Sequence, residues 1–183
     1  ASAALGEGAA LINDISGFTF EPHLAHVVAE QRASACLMHL QGTPQTMQDD
    51  PRYGDVMEEV LGFLRDGVVR AIGAGIPRQR LLVDPGIGFG KTLGHNLFLL
   101  RHLSQLRVLG VGVLVGTSRK SFLGRLTGGK PADQRLAGSL GSVALAAVTG
   151  GADVVRVHDV QETRDALAVA DAVRLATEGG ELF

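Results

Sequence analysis

Leu81-Leu82-Val83-Asp84-Pro85-Gly86-Ile87-Gly88-Phe89-Gly90-Lys91-Thr92 is the stretch from which the rest of the chain can be read. Its apolar opening is too short for a helix and too apolar for a strand with one wet face. It fits a parallel strand buried on both sides. Asp84 ends the strand, Pro85 fixes the exit, and Gly86, Gly88 and Gly90 strip Cβ bulk from the turn. The turn is not a phosphate loop, because G-x-x-x-x-G-K-[ST] would need Gly at position 85, where Pro stands. Nor does Gly86-x-Gly88-x-Gly90 meet the dinucleotide pattern G-x-G-x-x-G. Two readings remain. One is a Gly-rich turn with a capping Asp. The other is a carboxylate aimed at a planar ligand, where paired N–H donors such as an amino-pyrimidine edge would satisfy it.

The same strand, elbow and helix recur on either side. Apolar runs fall at Ala10–Ile15, Ala35–Leu40, Leu81–Val83, Val111–Val115 and Val154–Val157, and helical patterns at Pro22–Gln31, Asp55–Ala74, His95–Leu106, Ala132–Val148 and Gln161–Ala176. Pro22 reads as a first-turn proline, Asp159 as an N-cap, and Gly75 with Pro77 as a helix stop. Five such units predict an α/β fold with a parallel sheet. The irregular segment Gln41–Arg52, with Pro44 and Pro51, is long enough to be functional. Asn13 and Asp14, His39 and Gln41, Asp84, Ser118 to Ser121, and Arg156 with His158 all fall at or just past strand carboxyl ends. Ligands of parallel α/β folds bind on that rim.

Composition removes several classes. The chain has 183 residues, 45% of them hydrophobic and 20% charged, so it is neither disordered nor fibrous. With 17 basic and 19 acidic residues there is no basic excess to recruit nucleic acid. No apolar run reaches the roughly 18 residues of a membrane helix. The single cysteine, Cys36, has no partner for an internal disulfide, and a reducing, cytoplasmic setting is expected. Glycine, at 25 residues, is about twice its usual ~7% share and falls at the ends of apolar runs, marking turns.

Other motifs carry paired readings. Gly116-Thr117-Ser118-Arg119-Lys120-Ser121 puts hydroxyls, cations and fresh amides at a helix start, which suits an anion or an ordinary capping turn. Arg156 and His158, two apart, point to the same side of a strand. Two cations together call for an anion or for a structural salt bridge. Asn13-Asp14 is either a turn-forming pair or part of the site. His39 either lines the pocket or satisfies a backbone group. His23, His26, His95 and His102 read as surface or packing residues. No zinc spacing and no nucleophile elbow occurs.

Leu11-Ile12-Asn13-Asp14, Cys36 to Pro44, Asp84 to Lys91, Gly116 to Ser121 and Arg156-Val157-His158-Asp159-Val160 resemble, in order and spacing, the dihydropteroate synthase family. The resemblance implies a (β/α)8 TIM barrel that joins 6-hydroxymethyl-7,8-dihydropterin diphosphate to 4-aminobenzoate, releasing diphosphate, with Mg²⁺. It implies that Asn13, Asp84 and Lys120 contact the pterin and that Met38 lines its slot. Arg156 and His158 would hold the diphosphate, with Arg156 also against the pterin ring. Ser121 and Phe89 would border the aminobenzoate, where sulfonamides compete. The catalytic groups would be Lys120, Arg156 and His158. In the family diphosphate leaves first and the amine attacks a cationic pterin, so no protein nucleophile is needed. A homodimer built on barrel helices is also implied.

The resemblance further implies that residues 1–183 are strands 4 to 8 of one barrel domain. Three preceding units, including the family's Mg²⁺ ligand, are absent from the sequence, so no metal ligand is expected within this segment. Ala1–Gly8 then reads as the tail of a helix. A piece of a longer chain, or a product that needs a partner to complete it, would each explain this; taken literally, 183 residues would be inactive. Two rival functions remain at this stage. One is a methyltetrahydrofolate:corrinoid methyltransferase domain of the same superfamily, although it has no diphosphate for Arg156 and His158 to hold. The other is a non-catalytic barrel paralogue or fragment.

Overall fold

Each apolar run forms a strand. The computed structural model describes residues 1–176. Strands β1 (Leu11–Asp14), β2 (Ser34–Met38), β3 (Leu81–Asp84), β4 (Gly112–Val115) and β5 (Val154–Val155) lie parallel in the order β1-β2-β3-β4-β5. The register sets Asn13 beside Cys36, Met38 beside Asp84, and Leu114 beside Val154. The sheet curls into part of a barrel. Around it run α1 (Ser2–Gly6), α2 (His23–Glu30), α3 (Val56–Gly73), α4 (Leu93–Arg101), α5 (Ser121–Leu126), α6 (Leu136–Val148) and α7 (Val160–Leu175).

The two faces of the sheet do different work. Ala35, Leu37, Leu81, Val83, Val113 and Val115 point outward into the hydrophobic core, where they meet the helices. The 18-residue α3 shows why a helix forms there. Val56, Val60, Leu64, Val68 and Ala71 are buried along one stripe at helical spacing. Asp55 caps it by accepting from the amides of Met57 and Glu58 at 2.9 and 3.0 Å, a contact worth about 1 kcal/mol. Each large side chain so buried contributes roughly 1.5–3 kcal/mol. Alternation turns Cys36, Met38, Asp84 and Leu114 to the inner face. There the two outermost strands leave Leu11 and Val154 39% and 40% exposed.

Several local expectations shift. The helical pattern at His95–Leu106 divides into α4 and a 3-10 turn over Leu103–Leu109, which ends at left-handed Gly110. The pattern at Ala132–Val148 becomes a 3-10 turn at Ala132–Gln134 and then α6, while the helix start expected after Gly116-Thr117-Ser118-Arg119-Lys120 is the short α5. Gly128 and Gly129, both at positive φ, and Pro131 separate α5 from that turn. Pro22 sits at the cap position, just ahead of the first turn. Asp159 precedes α7 but caps nothing with its side chain, which Arg119 takes instead. Gly75 stops α3 as expected, at φ 100°.

Candidate active site

The site is built outward from the turn after β3. Asp84 is 1% exposed. Its Oδ1 accepts from the Gly86 amide at 2.7 Å. Its Oδ2 is the only buried side-chain nitrogen or oxygen among the described residues with no hydrogen-bond partner. Burial pushes the Asp84 carboxyl above its ordinary range, opposed by Lys120, the Gly86 amide, Arg156 and Lys91. A buried acceptor without a donor costs about 1–3 kcal/mol, more when charged. Such an oxygen is open to a ligand that supplies the donor.

The glycines are demanded by close approach. A Cβ on Gly86 would lie 1.9 Å from the carbonyl oxygen of His39, and one on Gly90 2.7 Å from that of Gln41. A Cβ on Gly88 would lie 3.2 Å from Cδ of Lys120, so the lysine stem lies along this turn. All three have positive φ. The Lys120 ammonium donates to the carbonyl of Ile87 and stands 4.7 Å from the Phe89 ring centroid. Burial holds Lys120 down at about 8, with Asp84 raising it and Arg156 lowering it.

Beyond Lys120 opens a cavity of about 550 Å³ lined by Gly116, Ser118, Lys120, Arg156 and His158, among others. Gly116 seats the Arg156 guanidinium, which would lie 3.5 Å from a Cβ there. Nδ1 of His158 is 3.0 Å from the Ser118 hydroxyl, which also accepts from the His158 amide at 3.2 Å. Arg156 and His158 are both exposed, on the side of the chain opposite Val155 and Val157, as alternation requires. Arg119 also lines this pocket, but its guanidinium is already engaged. It makes a two-pronged ion pair with Asp159, its Nε 3.1 Å from Oδ2, and so ties the loop after β4 to the loop after β5.

Around the same turn, Gln41 fastens both ends of the 41–52 segment: its amide donates to the Arg52 carbonyl at 2.6 Å and accepts from the Arg52 amide at 3.1 Å. Gln48 reaches the carbonyl of Gly88 at 2.5 Å. The long irregular segment is thus strapped against the glycine turn.

With this geometry in hand, the comparisons with known proteins fall into one group. Residues 1–158 match the sequence family described as pterin binding enzyme. The chain belongs to that family. It is 45% identical over 170 residues to a dihydropteroate synthase of Synechocystis sp., covering 93% of this chain and 58% of that protein. A crystal structure of dihydropteroate synthase from Stenotrophomonas maltophilia with active site-bound imidazole superposes with a TM-score of 0.91 at 43% identity, over 96% of this chain and 66% of that one. The Thermus thermophilus synthase in complex with 6HMPPP gives 0.88 at 42% identity, over 94% of this chain and 67% of that one. The chain therefore spans about 60% of the length of the curated relatives it matches.

In this member of the family the rim predicted from sequence is where the polar groups gather. Asp84, Lys120 and Arg156 bear directly on one another's charge, Met38 is buried beside Asp84 in the register, and Phe89 lies under Lys120. Ser121 is exposed at the first position of α5, and Asn13 is exposed on the inner face of β1, two strands from Asp84. Asp14 is a turn residue, its Oδ2 accepting from the Ser16 hydroxyl and the Phe18 amide. Sequence reasoning gave Lys91 no role. Yet Lys91 is 3% exposed, with Nζ 2.9 Å from both Nδ1 of His39 and the Phe89 carbonyl. The His39 ring is thus paired with this lysine, a contact that neither sequence reading of the histidine offered. A lysine between Gly90 and Thr92, within a glycine-rich turn, was the available signal.

That pair makes a pH prediction. Burial, helped by the Lys91 charge, pushes His39 from 6.5 down to about 3. Between those values the unfolded chain binds a proton at this ring that the native fold refuses. The histidine's contribution is complete above pH 6.5 and is lost as pH falls through the window. Urea midpoints measured at pH 7, 5 and 4 are expected to fall more steeply for the wild type than for His39→Gln. Parallel curves would refute the assignment.

Proposed function

We propose that this pterin-binding enzyme condenses 6-hydroxymethyl-7,8-dihydropterin diphosphate with 4-aminobenzoate, giving 7,8-dihydropteroate and diphosphate in folate biosynthesis. The observation that carries it is the buried, unpartnered Oδ2 of Asp84 beside a cationic cavity. A carboxylate of that kind asks for an N–H-rich edge, and the cavity asks for an anion. A pterin diphosphate carries both. In this reading Asp84 and Asn13 hold the pterin edge, Met38 walls its slot, and Lys120 bridges to the pterin. Arg156 and His158 take the diphosphate, and Phe89 and Ser121 border the aminobenzoate.

The chemistry needs no nucleophile from the protein. The bond between the pterin methylene carbon and diphosphate oxygen breaks, its electron pair leaving with diphosphate. Positive charge spreads into the pterin, and the aromatic amine then forms the new C–N bond and loses a proton. Lys120, Arg156 and His158 stabilise the departing anion, while Asp84 fixes the ring for attack. Pure positioning and electrostatics suit a site whose polar groups are cations and one acceptor.

Mg²⁺ is part of the proposal only as a companion of the diphosphate. The cavity is lined by cations and hydroxyls, and no group of three His, Cys, Asp or Glu among the described residues could hold a metal. That is a poor match to an ion that prefers oxygen ligands, and no step here depends on it. We further propose that residues 1–183 form strands 4 to 8 of an eight-stranded barrel in a cytoplasmic homodimer. No described helix is long and apolar enough to cross a membrane. Leu145 and Val148 on α6 and Val169 and Val173 on α7 leave apolar surface exposed for such a dimer.

Titration calorimetry of the chain with the pterin diphosphate, followed by an assay for dihydropteroate with 4-aminobenzoate in the full gene product, tests the function. Absence of both binding and product would refute it. Arg156→Ala is expected to weaken the diphosphate ester by about 1.5–3 kcal/mol, roughly 10- to 150-fold. The pterin alcohol, which lacks the diphosphate, should lose less. Equal losses for the two ligands would remove Arg156 from the anion site.

A further inference from the structure

Lys91 is a buried cation that the proposed chemistry does not use. Its two partners, the His39 ring and the Phe89 carbonyl, are both neutral, so no ion pair offsets its burial. An apolar residue of similar volume would fill the space at lower cost. Its position suggests what it is kept for. Phe89 and Gly90 belong to the turn that starts at Asp84, and His39 ends the neighbouring strand, where its amide donates to the Asp84 carbonyl at 3.0 Å. His39 is itself wedged against the Phe63 ring, edge to face at 5.0 Å.

We propose that Lys91 is a positioning residue for the ligand site: it fastens the glycine turn to His39 and supplies positive charge behind Asp84. This rests on Asp84 being the acceptor for the ligand edge. The titratable groups facing Lys91 are Asp84 from β3, the neutral His39 just after β2 and Lys120 from the loop after β4. The Tyr53 ring lies 6.0 Å from its Nζ, and His95 on α4 feels its charge. Burial holds Lys91 at about 7, Asp84 pulling it up and Lys120 pushing it down. Lys91 thus changes charge near neutrality, where its influence on Asp84 can be switched and read.

Two functions of Lys91 must be separated, the hydrogen bonds and the charge. Lys91→Gln keeps a donor without the charge; Lys91→Met removes both. Aspartate 13Cγ resonances are followed against pH in the wild type and both variants, with the Asp84 signal assigned by its loss in Asp84→Asn. The Asp84 midpoint is expected to rise by about one pH unit, a tenfold change in proton affinity, in either variant. In the wild type the same resonance should show a second inflection near pH 7, matching the titration of the Lys91 ammonium. Hydrogen exchange at the Gly88 amide should accelerate in Lys91→Met and recover in Lys91→Gln. Pterin affinity should fall at least tenfold in Lys91→Met.

An Asp84 midpoint that is unchanged in Lys91→Gln, with no second inflection in the wild type, overturns the proposal. An inflection near pH 7 that persists in Lys120→Gln is assigned to Lys91, which decides the matter even if both Lys91 variants fail to fold. If the wild type binds no pterin while the Asp84 midpoint still follows Lys91, the inferred coupling stands. The functional reading of the site then falls on its own.

Discussion

Asp84→Asn is expected to remove pterin binding while leaving the fold intact. An asparagine that keeps its Oδ1 on the Gly86 amide places an NH₂ where Oδ2 now stands. The donors on the ligand edge would then meet a donor. Losing a charged acceptor and burying two mismatched donors should cost about 3–4 kcal/mol, roughly 150- to 1,000-fold in affinity. The fold, by contrast, exchanges one unpartnered buried group for another, so the thermal midpoint should move little. Calorimetry and a melting curve on the same sample measure both. Affinity within threefold of wild type would show that Asp84 does not hold the ligand.

Gly86→Ala carries the largest expected effect on stability. The new methyl would sit 1.9 Å from the His39 carbonyl oxygen, a backbone atom that no rotamer change can move aside. The φ of 68° adds roughly 1–2 kcal/mol of left-handed strain. Relief requires the turn to leave β2, which also breaks the hold on Asp84. A loss above about 4 kcal/mol is expected, a large part of the ~5–15 kcal/mol that keeps a domain folded. Gly62→Ala is the control. It lies within α3 with nothing within 4 Å of its Cβ position, and alanine should be neutral or stabilising there by up to ~1 kcal/mol. Urea denaturation of both variants checks the contrast, and equal midpoints would contradict it.

The strands were legible because an apolar run between glycine elbows has few alternatives. Val113-Leu114-Val115 and Ala35-Cys36-Leu37-Met38 could be little else. The rim was legible for the same reason, since polar residues that end buried strands must share one edge of a parallel sheet. What stayed hidden depends on where long side chains swing. Nothing in Ser118-Arg119-Lys120 says that Arg119 turns away to Asp159, while the next residue lies along Gly88 towards Phe89. Asp159 looked like a helix cap because local spacing favours it; a partner 40 residues away won. Lys91 was overlooked for a related reason. Its burial comes from the packing of three segments, which no local pattern encodes. Only the start of α5 was legible, because six residues give too little periodicity to show where a helix ends.

Of the side chains assigned to the ligands, Met38 and Asp84 are fully buried, whereas Asn13, Phe89, Lys120, Ser121, Arg156 and His158 lie outside the hydrophobic core and reach solvent. Adaptation follows from that division. A substitution at one of those six solvent-reached positions alters what the rim accepts without disturbing the packing that holds the helices to the sheet. A population exposed to a competing ligand can therefore explore these positions freely, meeting resistance from lost substrate affinity and not from misfolding. The glycine turn and its lysine are where that freedom stops, because there the backbone that shapes the pocket is also the backbone that must fold.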